Sequence, residues 1–114
     1  MLVLLAKLVA GLVVYPENMK RNLELSLGMW NSQTVLLALI RKGLTREQAY
    51  DLVQRNAMKT WAVKHVGRHD ADFLEQLKSD PEVARHFKRG ELEKLCSLDF
   101  HFKEVKNRFR KVGL

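Results

Sequence analysis

Four histidines, the carboxylate pairs Glu91/Glu93 and Asp70/Asp72 and one cysteine are residues of this chain with the chemistry for catalysis or metal binding. His65 and His69 have the i, i+4 spacing that places two imidazoles on one helix face, as in a two-histidine metal pair. Gly67 falls between them, however, and no H-E-x-x-H signature accompanies them. They read as surface histidines near a helix C-terminus, and His86 and His101 stand far off in sequence. Glu91/Glu93 and Asp70/Asp72 lie in charge-mixed amphipathic stretches, where carboxylates favour a solvated helix start. Cys96 is the only cysteine, which excludes an intrachain disulfide and a cysteine cluster and fits a reducing compartment. Its spacing from Leu92 and Leu95 marks a small buried apolar residue. No Gly-rich phosphate loop, G-x-S-x-G elbow or Ser/His/Asp arrangement is present. The residues themselves therefore show no catalytic group and no metal set.

The elements that must position these residues read as helices throughout. No stretch alternates with period two, so the fold class is all-α. MLVLLAKLVAGLVVY opens the chain apolar on nearly all sides, with Lys7 inside the run, no small-residue cleavage site, and too few residues to span a bilayer. A helix of that kind outside a membrane is surrounded by other helices. Residues 1–15 thus read as the end of a bundle helix whose partners lie elsewhere, exposing Leu2, Val3, Leu5, Leu8, Val9 and Leu12. Pro16 and Glu17 suit a helix start, running to about Leu27 with Gly28 as a breaker. Residues 29–43 form a helix with Val35, Leu36, Leu39 and Ile40 on one stripe and Gly43 as the stop. Thr45 with Gln48 makes a capping box for a helix from Arg46 to about Lys64, which should bury Ala49, Leu52, Val53, Ala57 and Trp61. Trp30, Tyr50, Met58 and Trp61 could be taken for a binding platform but fit core packing. Three short helices follow in DFLEQLKS, DPEVARHF and ELEKLCSL, then an amphipathic segment carrying Phe102, Val105, Phe109 and Val112.

The net charge of +7 on 114 residues raises the question of nucleic acid. Residues 1–43 carry five cations and two anions, 44–68 five and two, and 69–114 ten and nine, a thin spread. Two helices about a Gly-containing turn also describe a helix-turn-helix, the alternative reading as a free-standing DNA-binding or interaction module. Its outward positions would be Arg46, Glu47, Asp51, Gln54, Arg55 and Lys59. Acidic residues at the end that must approach phosphate argue for a structural αα-hairpin.

Three ordered phrases carry a resemblance: GLVVYPENMKRNLELSLG, KGLTREQAYDLVQRNAMKTW and, more loosely, SLDFHFKEVKNRF. Together they resemble the C-terminal helical domain of the adenylosuccinate lyases, in the fumarase/aspartase superfamily. The likeness is close from about Gly11 to Trp61 and thins through residues 66–99. It implies a division into 1–15, the tail of a central-bundle helix, and 16–114, the C-terminal domain, with the chain a piece of a longer protein. It further implies a cytoplasmic purine-synthesis enzyme, a homotetramer with shared active sites and no metal or organic cofactor. Such an enzyme cleaves adenylosuccinate to AMP and fumarate, and SAICAR to AICAR and fumarate, by β-elimination. The family's acid/base histidines and serine loop lie upstream of the matching region, so no catalytic residue carries over. Lys20, Arg21 and Asn22 are the positions to test for contact with substrate or with the rest of the enzyme, against an ordinary role in capping and salt bridges. No nucleic-acid or membrane partner is implied.

Overall fold

In the computed structural model, which describes residues 1–67 and 72–114, the chain is all-α. Helix α1 spans Leu2–Ala10, α2 Pro16–Glu24, α3 Ser32–Arg41 after a 3₁₀ turn Met29–Asn31, and α4 Arg46–His65. Then come α5 Phe73–Ser79, α6 Pro81–Ala84, α7 Glu91–Leu95, α8 Leu98–Phe102 and α9 Val105–Lys111. Among the described residues there is no strand.

Helix α4 is the spine, with α3 and α5 packed against it. Its start is set by the capping box: the Gln48 amide N–H donates to Thr45 Oγ1, and the Thr45 N–H donates to Gln48 Oε1, both at 3.2 Å. Asp72 caps α5 by accepting from the Glu75 N–H at 2.9 Å. The core joins Val35 and Leu39 of α3 and Ala49, Leu52 and Val53 of α4 to Phe73 and Leu77 of α5, closed by Val83 and Leu92. Burying Phe73 completely stabilises the fold by about 1.5–3 kcal/mol. The backbone reverses before α3 through Leu27 (φ 51°) and Gly28 (φ 80°). That turn is tied down where the Phe73 N–H donates to the Leu27 carbonyl at 2.8 Å.

Several expectations need correction. The first helix stops at Ala10 rather than running to Tyr15, because Gly11 loosens the chain and Pro16 disfavours helical geometry at Tyr15 (φ −112°, ψ 86°). The amphipathic stretch near the C-terminus is divided between α8 and α9, with turn residues Lys103 and Glu104 between them. Trp61, Tyr50 and Met58 are exposed, Trp61 at 45%. The inward stripe of α4 is Ala49, Leu52, Val53, Asn56 and Thr60, and these three side chains point away from it. Trp61 instead stacks edge-on against His65 at 4.8 Å, with the Lys64 ammonium 5.3 Å from the indole centre.

Residues 1–25 and 101–114 are exposed without exception. They extend the molecule to 55 × 36 × 24 Å with a radius of gyration of 18.2 Å. A compact chain of this length would have a radius of about 13 Å.

Candidate functional site

Lys20, Arg21 and Asn22, the positions singled out by the sequence, sit on α2, an exposed helix begun by Pro16 with Glu17 in its first turn. They are not brought together. Lys20 lines a groove of about 370 Å³ together with Leu23, Leu27, Trp30, Leu74 and Leu98 and the polar Glu24, Asn31 and Asp72. The Arg21 guanidinium instead donates to Asn18 Oδ1 at 2.8 Å on the exposed surface. Asn22 is exposed and outside the groove. Cys96 also borders this groove, where burial pushes its thiol up to about 11, so it stays protonated and unreactive near neutral pH. An inert thiol is as expected, but Cys96 is half-buried rather than enclosed in the core.

The histidines fall in separate places. His65 packs on Trp61, and His86 lines a groove between α4 and α6. His101 Nε2 lies 3.2 Å from Asn31 Oδ1, with its ring 5.0 Å from that of Trp30. His69 and Asp70 lie outside the described residues. Among the described residues no three His, Cys, Asp or Glu side chains gather as a metal site, and no helix is long and apolar enough to cross a membrane.

The most developed polar cluster is one that local sequence patterns do not signal. Asp80, almost fully buried, caps α6 by accepting from the Glu82 N–H at 3.1 Å. Its other oxygen accepts from the Arg55 guanidinium at 2.7 Å and from Asn56 Nδ2 at 2.9 Å. Burial alone would raise the Asp80 pKa, but the Asn56 and Arg55 hydrogen bonds outweigh it and hold the carboxyl below its ordinary range. Asn56 Nδ2 also donates to the Leu52 carbonyl, while Asn56 Oδ1 is buried with no partner. Asp80 and Arg55 lie 25 residues apart, so only the D-P helix start at 80–81 could have hinted at the acid. The cluster ties α4 to the α5–α6 corner, and it removes Arg55 from the outward set a DNA-binding helix would need. Glu47 and Asp51 remain exposed at the start of α4, where they would repel phosphate.

Comparison with known proteins agrees with the geometry. A family profile described as Adenylosuccinate lyase C-terminus matches residues 28–112. An adenylosuccinate lyase of Thermotoga maritima is 44% identical over 112 residues, covering 97% of this chain and 24% of the relative. The Bacillus subtilis enzyme is 38% identical over 109 residues, covering 96% and 24%, and that of Streptococcus mutans 38% over 107, covering 94% and 23%. The chain thus spans about a quarter of the length of the curated relatives it matches. These matches favour a lyase domain over a free-standing DNA-binding module. With its all-α hairpin core and a profile match over most of its length, the chain belongs to the adenylosuccinate lyase family, as the C-terminal domain of that enzyme.

Proposed function

We propose that the chain works as the C-terminal helical domain of a lyase that releases fumarate from adenylosuccinate, and from SAICAR, by β-elimination in purine biosynthesis. The carrying observation is the 44% identity along 97% of the chain to a protein of that name. The chemistry requires a base to remove a proton beside a carboxylate and an acid to protonate the departing nitrogen, both within hydrogen-bond reach of substrate. His65, His86 and His101, in three separate environments, offer no such pair. The domain therefore packs against the remainder of the enzyme rather than performing the reaction, and alone it is inactive. In this reading residues 1–15 are the tail of a central-bundle helix and 16–114 the domain proper. The enzyme is a cytoplasmic homotetramer needing no metal or organic cofactor. The apolar exposure from Leu2 to Val14, interrupted by Lys7, supports a covering partner for the first segment. Lys20 is the best placed of the three α2 positions to meet substrate or a neighbouring segment, since it alone lines a groove.

A domain graft tests the proposal. Replacing the matching region of the Thermotoga maritima relative with residues 11–114 should restore fumarate release that the same relative lacks when that region is deleted. A folded graft no more active than the deletion would contradict it.

A further inference from the structure

We propose that the groove between the end of α3 and the loop joining α6 to α7 is a binding site for a multiply charged phosphate anion, a polyphosphate chain free or carried on a nucleoside. The groove measures about 380 Å³ and is lined by Lys42, Lys88, Arg89, Gly90, Glu91 and Lys94. Four cations face one carboxylate, and that carboxylate is already engaged. Lys42 Nζ lies 2.8 and 2.9 Å from its two oxygens, and the Lys88 N–H donates to it at 2.9 Å. These contacts, the Lys42 hydrogen bond foremost, hold the Glu91 carboxyl below its ordinary range.

The even charge count of residues 69–114 conceals this imbalance, because the nearby acids are also occupied. Glu93 pairs with Lys78 at 2.6 Å and Glu82 with Arg55 at 3.4 Å. Among the described residues Lys88, Arg89 and Lys94 have no carboxylate within ion-pair distance. Gly90 (φ 82°) would meet nothing within 4 Å of an added Cβ, so the backbone between these cations is open to approach. Arg85 and His86 line the adjoining groove, which shares Lys42. An arginine fork and two or three ammonium groups around one small-ligand-sized groove match spaced anionic charges. The inference does not depend on the lyase reading.

The test is calorimetric titration of the 114-residue chain with sodium tripolyphosphate, which carries no nucleoside. The Lys88→Glu/Arg89→Glu pair is compared with Arg110→Glu/Lys111→Glu, an equal charge change on α9. Saturable binding is expected, weakened about tenfold or more by the first pair and about twofold or less by the second. It should also weaken between about 50 and about 300 mM salt, as added ions screen the attraction. ATP binding with the same variant dependence would assign the nucleoside-borne form, and tripolyphosphate binding without it the free form. If the first pair does not fold, as judged by circular dichroism, Lys94→Gln takes its place and should weaken binding about threefold. Equal losses in both pairs, or no saturable heat up to about 10 mM, would overturn the site. So would tighter binding, with the same variant dependence, to a single-stranded RNA, which would make the patch a macromolecular surface.

Discussion

The middle of the molecule and its two ends obey different rules. Between Ser26 and Phe100 the apolar stripes of α3, α4 and α5 close on one another, and Phe73, Leu39, Leu77, Val35 and Val83 lose all contact with solvent. The arm of α1 and α2 and the tail of α9 hold apolar residues of the same kinds in the open, Leu2 at 82% and Phe109 at 53% exposure. The difference lies in partners rather than composition. An apolar face is stable in water only when another face covers it, and this chain supplies covers for its middle alone.

Substitutions should separate the two regions sharply. Phe73→Ala, at the centre of the core, should cost about 3–5 kcal/mol and leave little folded protein in a thermal melt. Asp80→Ala should cost about 2 kcal/mol, through the lost cap of α6 and the hydrogen bonds of Arg55 and Asn56. Folding lowers the Asp80 pKa below its ordinary 3.8, so its stabilisation is fully present above that pH and declines as the pH falls through the lowered value. Urea midpoints of the parent should therefore drop more steeply below about pH 4 than those of Asp80→Asn. A parallel decline in both would remove Asp80 from that role.

Gly28→Ala should cost about 1–2 kcal/mol, because its φ of 80° strains any residue with a Cβ, although Phe73 Cβ at 3.7 Å leaves room for the atom itself. Leu5→Lys with Leu8→Lys, in the arm, should change the melting free energy by no more than about 0.5 kcal/mol. The same pair should reduce self-association in sedimentation velocity. A large stability loss from the arm variant would mean that α1 packs on the core after all.

The contrast between middle and ends also bears on how far the sequence can be read. Thr45 with Gln48 and Pro81 are local signals, and both helices start where expected, although α6 ends at Ala84 rather than running to Phe87. The α3 stripe of Val35 and Leu39 is equally legible, because its period of 3.6 matches the core it faces. Trp61 is misleading in sequence because hydrophobicity says that a side chain prefers cover, not that its helix turns it towards any. Asn56 and Asp80, polar yet buried, leave almost no local trace because the hydrogen bond from Asn56 Nδ2 to Asp80 joins residues 24 apart. The same holds for the basic groove: Lys88, Arg89 and Lys94 look balanced by Glu91 and Glu93 until those acids are seen to bond Lys42 and Lys78. Lys20, Arg21 and Asn22 are adjacent in sequence, but a helix turns about 100° per residue and sends them in different directions.

The most direct test recovers the native polypeptide from source cells with an antibody against residues 45–65, weighs it intact and assays fumarate release from adenylosuccinate. The expected result is a product several times heavier than 13.2 kDa that releases fumarate. A product of 13.2 kDa with no such activity would contradict the assignment of this chain as the C-terminal domain of a working lyase.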